Sequence, residues 1–266
     1  MSNTPTLRTE NICMYFGGLH AVENVNMEVH NGDIFGIIGP NGAGKTTFFN
    51  SCTGFNKPTK GKVFLNGEDI TNLKPENVAK KGMARTFQNI KLFKYMSVLD
   101  NIKIGFHMSL KSNIWDSIFH TKQFRDDEEY TINKGKEILD LLDLSAYTNT
   151  KAGNLPYGVQ RKVEIARALA LDPKILLLDE PAAGMNPNET LELSKFIKKI
   201  NQLGYTVAVI EHDMKFVMNT CNKIMVLNFG VKICEGAPDI IKCNEKVHEA
   251  YFGKGIATGG ITHATT

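Results

Sequence analysis

Two hydrophobic rhythms divide this chain. The run Ile34-Phe35-Gly36-Ile37-Ile38 is apolar throughout, as is most of 174–178, 205–210 and 223–227. Short unbroken runs of this kind predict strands buried on both faces. Residues 188–202 carry apolar positions at helical spacing between two of them, so strand and helix alternate and a parallel sheet is expected. Segments 7–16 and 21–29, joined at Gly17-Gly18, read instead as two strands of an antiparallel sheet. Segments 62–65 and 69–70 flank Asn66-Gly67 and read as a hairpin, because Asn-Gly readily supplies positive φ.

A further strand, 83–87, ends at Gln88, and from there to about residue 166 the pattern turns helical. Helices are expected over 98–106, 128–144 and 159–171, with a less regular insertion at 113–125 that holds Trp115. A last helix is expected over 237–252, starting at Pro238, followed by a frayed Gly/Thr-rich tail, 254–266. The fold class is therefore α/β: a mainly parallel sheet, an antiparallel β subdomain and an inserted helical lobe. One domain is expected over 1–253, with its core in 1–88 and 167–253 and the lobe in 89–166.

Directly after the first buried strand stands Gly39-Pro40-Asn41-Gly42-Ala43-Gly44-Lys45-Thr46-Thr47, which fits G-x-x-x-x-G-K-[ST]. In that context the glycine-rich turn brings backbone N–H groups onto phosphate oxygens, and the helix that follows adds the positive end of its dipole. Gly42 and Gly44 permit close approach, Lys45 neutralises the terminal phosphates, and the Thr46 hydroxyl ligates Mg²⁺. A nucleoside triphosphate is the expected ligand. The alternative is an ordinary glycine-rich turn.

Composition narrows the setting. With 42% hydrophobic and 22% charged residues the chain is neither disordered nor a membrane protein in character. No apolar run approaches the ~18 residues that span a bilayer, and Met1-Ser2-Asn3-Thr4 is no secretory start, so a cytoplasmic location is expected. A net charge of +3 without a basic block gives no reason to expect a nucleic-acid partner. The five cysteines include no C-x-x-C pair, which argues for reduced thiols and against zinc or a disulfide framework.

Three further features lie at strand ends. The run Ile175-Leu176-Leu177-Leu178 delivers Asp179 and Glu180 to the edge where ligands sit in open α/β sheets. Beside a phosphate loop, Asp179 is placed to hold Mg²⁺ and Glu180 to orient or deprotonate the attacking water. Otherwise they are simply solvated acids. Glu211-His212-Asp213 ends another strand, where His212 is positioned to donate to the γ-phosphate or else is a structural histidine. Gln88 is a neutral amide able to reach Mg²⁺ or the water, at the boundary between core and lobe. Ahead of Gly17-Gly18, the pair Tyr15-Phe16 either offers an aromatic face to a purine or is buried in its sheet.

The order GPNGAGKTT, TFQ, the segment 155–160, ILLLDEP and EHD resembles the ATP-binding cassette (ABC) ATPases, members of the P-loop NTPases, over residues 6–253. RTFQNIKLF, DEPAAGMNP and IEHDMKFVM are similar to the ATP-binding subunits of branched-chain amino-acid importers of bacteria and archaea. On that resemblance Phe16 stacks on adenine, Gln88 is the Q-loop residue, Asp179 and Glu180 are the Walker B pair, and His212 is the switch histidine. The resemblance implies ATP and Mg²⁺ as cofactors and a dimer with a second ABC ATPase subunit, identical or different. It also implies integral membrane permease subunits, indirectly an extracytoplasmic solute-binding protein, and a peripheral position on the inner face of the membrane.

Two departures from the ABC pattern stand out. The signature LSGGQ reads Leu155-Pro156-Tyr157-Gly158-Val159, keeping Gly158 and a helix N-terminus but losing the serine hydroxyl. The usual D-loop Asp is Asn186. Both suggest that the partner site completed by this chain is weaker than a standard one, and that the natural partner is a different ATPase subunit. Leu92, Phe93 and Tyr95 are either a hydrophobic seat for a permease helix or part of the lobe core. The alternative functions are a soluble ABC ATPase acting on nucleic acid or ribosomes, which lacks here the usual long coiled-coil insertion or second cassette, and a small-molecule kinase, in which Gln88 and His212 would be idle.

Overall fold

The computed structural model describes residues 4–110, 116, 119 and 121–252. Trp115 and the tail 254–266 lie outside the described residues. In chain order the first half holds β1 (Leu7–Phe16), β2 (Leu19–Val29), β3 (Ile34–Ile38), α1 (Lys45–Cys52), β4 (Lys60–Leu65), β5 (Glu68–Asp69), α2 (Pro75–Lys80), β6 (Met83–Arg85), α3 (Val98–Gly105) and α4 (Lys122–Leu141). The second half holds α5 (Tyr157–Leu169), β7 (Ile175–Asp179), α6 (Pro187–Gln202), β8 (Thr206–Ile210), α7 (Met214–Thr220), β9 (Lys223–Asn228), β10 (Val231–Gly236), α8 (Pro238–Lys242) and α9 (Glu245–Phe252).

The strands form two sheets. One has the order β2-β1-β4-β5 and is antiparallel throughout. The other runs β10-β9-β3-β8-β7-β6, parallel except where β10 turns back along β9. This is the α/β architecture read from the sequence.

Period-2 alternation splits the central strands between two cores. Phe35, Ile37, Ile175, Leu177, Ala208 and Ile210 join the antiparallel sheet and α1 in one buried cluster. Leu176, Leu178, Val207, Val209 and Val226 join Val98, Ile102, Leu139, Val163, Phe196 and Ile197 in the other. Each face of the parallel sheet is covered, which is why its strands are apolar at every position. Because β3, β6, β7 and β8 are parallel, their carboxyl ends open onto one edge, and that edge collects the site.

Several boundaries differ from the sequence reading. The helix expected to start at 128 starts at Lys122, since the Thr121 hydroxyl accepts from the Phe124 N–H at 3.4 Å and caps it. Part of the expected irregular insertion is thus regular helix. The last helix is broken in two, because the Asn244 side chain accepts from the Lys246 N–H at 3.0 Å and begins α9 afresh. The elements α2, α7 and β10 went unread. Each is only six or seven residues long, too short for a period to show.

Candidate active site

β3 delivers the chain to residues 39–47, and two glycines there are sterically obligatory. A Cβ on Gly39 would lie 2.1 Å from the Leu227 carbonyl oxygen. Gly44 caps α1 with φ 91°, and a Cβ on it would lie 2.3 Å from the Ala21 carbonyl oxygen. Gly42, at φ 79°, faces open space.

Lys45 is buried, and its Nζ donates to the carbonyls of Gly39 at 2.7 Å and Pro40 at 3.0 Å. Burial pushes its ammonium pKa below the ordinary value, and Glu180 and Glu211 oppose that shift without cancelling it. A desolvated cation held against a glycine-rich loop at a helix N-terminus is a receptor for anionic oxygen.

The turn between β9 and β10 braces this loop. The Gly230 N–H donates to the Ala43 carbonyl at 3.0 Å, and the Gly230 carbonyl accepts from the Glu23 N–H at 2.9 Å. Together they wall a cavity of about 420 Å³ lined by Phe16, Leu19, residues 41–47, Glu180 and Phe229. A larger depression of about 1010 Å³ lies around Asn31, Lys174 and Tyr205, just ahead of β3, β7 and β8 and so at the far end of the strands. It is remote from every residue singled out for chemistry.

Of the aromatic pair, the structure sends Phe16 into the site. The Tyr15 hydroxyl donates to Glu23 Oε1 at 2.9 Å and its ring stacks on His20, whereas Phe16 is half exposed and faces the cavity.

At the end of β7 the two acids have different surroundings. Asp179 is buried and accepts from Arg85 Nη2 at 2.6 Å. Glu180 has φ 44°, an unusual conformation for a side-chain-bearing residue, and its N–H donates to the Ile210 carbonyl at 2.9 Å. Its carboxylate accepts from Gln88 Nε2 at 2.9 Å and lies 3.7 Å from His212 Nδ1. Glu180, Gln88 and His212, read separately from three strand ends, therefore meet.

Glu211 also belongs to this edge. It is buried, accepting from the N–H groups of Ala182 at 2.8 Å and His212 at 3.1 Å, and burial pushes its pKa up. Asp213 is not part of the cluster; it caps α7 by accepting from the Phe216 N–H at 3.1 Å. Thr46 and Thr47 stand on the cavity wall, but Gly158 does not line it. Gly158 sits in the first turn of α5, where an added Cβ would lie 3.5 Å from Glu189 side-chain atoms. Asn186 caps α6, accepting from the Asn188 and Glu189 N–H groups at 3.0 Å in a capping box.

A phosphate loop after β3, a carboxylate pair at the end of β7, two strands along the same parallel sheet, and an amide and histidine closing on the second acid form one constellation. Residues 22–183 match the family model described as ABC transporter.

The chain belongs to the ABC transporter family.

It is 43% identical over 251 residues to the high-affinity branched-chain amino acid transport ATP-binding protein BraF of Pseudomonas aeruginosa, covering 94% of this chain and 98% of the relative. The Escherichia coli protein LivG, of the same description, is 42% identical over the same shares. Residues 231–257 separately match the model described as branched-chain amino acid ATP-binding cassette transporter. Among solved structures, the ADP conformation of an ATP-binding cassette of an ABC transporter superposes with a TM-score of 0.82 at 37% identity, covering 95% of this chain and 100% of that one. The fold is that of the P-loop NTPases, and this ABC protein is an ATPase subunit of a transporter. None of its helices, among the described residues, is long and apolar enough to cross a membrane.

Two groups of functional interest in this ABC ATPase were missed from sequence. The sequence reading places Arg85 inside the strand 83–87 without a role, yet it holds Asp179. Arg161 and Glu164 on α5 form a buried pair 2.7 Å apart, and Arg161 donates to the carbonyls of Phe87 and Gln88. The available signal was two opposite charges at i, i+3 on the apolar face of a helix, where charges stay only when paired.

Leu92 packs on the core, while Phe93 and Tyr95 are exposed, Tyr95 to 91%. Their segment is tied to α3 by Asn101, whose Oδ1 accepts from the Phe93 N–H at 2.9 Å.

Proposed function

We propose that this ABC ATPase binds ATP with Mg²⁺ and drives import of branched-chain amino acids or closely related small solutes. The observation that carries the hydrolytic part is the convergence of Gln88 and His212 on Glu180 at the mouth of the phosphate loop. The cargo is supported by the identity to BraF and LivG over nearly the whole chain.

In this reading the backbone of residues 39–47 and Lys45 hold the phosphates, and Phe16 stacks on adenine. Glu180 takes the proton of the attacking water, Gln88 orients that water, and His212 donates to the γ-phosphate. The oxygens of Thr46, Gln88 and Asp179 suit a hard divalent cation. Among the described residues no group of three His, Cys, Asp or Glu side chains could hold a metal by itself. Such a donor set fits Mg²⁺, which keeps waters and shares substrate phosphates, and which when bound neutralises charge on the transferring phosphoryl group.

Gly158 lies outside the cavity of its own chain, which supports its service to a second subunit's nucleotide. A related cassette at 26% identity, TM-score 0.71, was solved as a dimer in a post-hydrolysis state bound to ADP and Pi. The altered signature and Asn186 point to a different ATPase subunit as partner, with a weaker site where this chain supplies Gly158. Phe93 and Tyr95 form the seat for a permease helix, placing the chain on the cytoplasmic face of the membrane beside its permease subunits. The core of 1–88 and 167–253 and the lobe of 89–166 then move as the two arms of the cassette.

Proteoliposomes carrying the assembled transporter test the reading. Leucine-loaded binding protein should stimulate ATP hydrolysis, and charge reversal at Lys94 with truncation of Phe93 should release this subunit from the membrane. Absence of stimulation by any branched-chain amino acid would refute the cargo, and retention of the doubly substituted subunit would refute the seat.

A further inference from the structure

Arg85 is a buried charged group beside the site edge to which the mechanism above gives no role. Its guanidinium lies among three rings, with Cζ 5.0 Å from the Phe49 centroid, 5.2 Å from Phe55 and 5.5 Å from Phe87. From there it reaches three elements. Nη1 donates to Asn50 Oδ1 at 2.7 Å and to Thr53 Oγ1 at 3.0 Å, at the end of α1. Nη2 donates to Asp179 Oδ2 at 2.6 Å, at the end of β7. Arg85 itself ends β6, three residues ahead of Gln88.

Of those elements α1 carries Thr46, β7 carries Asp179 and β6 leads within three residues to Gln88, the residues assigned above to the metal. The fork is also the only ion-pair partner of Asp179 among the described residues, and both side chains are more than nine-tenths buried. A charge-assisted hydrogen bond to one oxygen restrains the orientation of a buried carboxylate and so the direction of its other oxygen. Mg²⁺ demands near-ideal octahedral geometry, so the direction of that oxygen matters.

We infer that Arg85 is the positioning residue of the Mg²⁺ site, clamping α1, β6 and β7 so that Asp179 presents Oδ1 to the metal's water shell. The inference rests on the reading of Thr46, Gln88 and Asp179 as the metal face. A lysine cannot replace Arg85 fully, because a single ammonium does not span Asp179, Asn50 and Thr53 with a planar fork. Loss of an outer-shell partner of this kind typically costs about 10–100-fold in metal affinity.

The test is calorimetric titration of ADP into the purified full-length chain, in EDTA and across a Mg²⁺ series. Wild type, Arg85→Met, Arg85→Lys, Asp179→Asn and the Arg85→Met/Asp179→Asn pair are compared, with thermal melts of each. In wild type Mg²⁺ should tighten ADP binding. Arg85→Met should leave ADP affinity in EDTA within about twofold and raise the Mg²⁺ needed for half of the tightening by about 10–100-fold, with Arg85→Lys between the two. On the Asp179→Asn background Arg85→Met should add nothing further.

Absence of any Mg²⁺ effect in wild type would overturn the metal reading itself. A normal wild-type response with an unchanged Mg²⁺ requirement in Arg85→Met and Arg85→Lys, whatever their melting temperatures, would overturn the role of Arg85 alone. So would full additivity in the double variant. If Arg85→Met does not fold, Arg85→Lys carries the same comparison.

Discussion

The guanidinium of Arg161 donates to the main-chain carbonyl of Gln88 at 2.6 Å, so the residue that touches Glu180 is fastened to α5, the helix whose first turn holds Gly158. Glu164, one turn on, accepts from the Lys91 N–H at 3.0 Å and from Arg161 at 2.7 Å. A shift of α5 therefore carries the 87–91 segment with it.

Arg161 is fully buried and Glu164 nearly so, and removing one charge strands the other. Arg161→Met should lower stability by about 3–5 kcal/mol in denaturant unfolding. It should also reduce kcat for ATP more than nucleotide affinity, since the carbonyl anchor of Gln88 is lost. Equal losses in both would argue that the pair is structural only.

Glu180→Gln should leave ATP affinity near wild type and lower hydrolysis by about 10²–10⁴-fold, the usual contribution of a general base. Lys45→Ala should instead weaken binding of the triphosphate itself. Equilibrium binding alongside single-turnover hydrolysis separates the two effects.

Gly39→Ala should abolish nucleotide binding and lower the melting temperature, because its Cβ meets main chain at 2.1 Å and no side chain can yield. Gly18→Ala, where no atom lies within 4 Å, is the control and should behave as wild type.

Glu211 sets a pH dependence. Burial raises its pKa above the ordinary 4.5, so the folded state retains a proton that the unfolded chain has released. Stability contributed by the protonated carboxyl is present below 4.5 and declines as pH rises through the raised value. Melting temperatures of wild type should therefore fall relative to Glu211→Gln as pH is raised from 4.5. Parallel curves would show that Glu211 titrates normally.

The cysteines make a simpler case. Burial pushes the Cys52 and Cys221 thiols up to about 12, while Cys243 is exposed. A thiol reagent at pH 8 should label Cys243 in the native chain and reach Cys52 and Cys221 only after unfolding, as peptide mapping would read.

The chain's order of elements and the chemistry of its strand ends were legible in the sequence, because both are local. Apolar runs of five residues declare buried strands, and the spacing of Gly39, Gly44 and Lys45 encodes a loop whose geometry is set within nine residues. Which side chains meet was decided only in three dimensions. Without the family resemblance, which singles out Phe16, the residue pattern does not choose between Tyr15 and Phe16, since Glu23 and His20, which engage Tyr15, lie on the neighbouring strand. It gave no role to Arg85, whose partners Asn50 and Asp179 are 35 and 94 positions away. Nor did it find Arg161, whose contact with Gln88 spans 73. Local patterns specify elements, but a buried charge is tolerable only where packing brings its partner, and that pairing is a property of the fold.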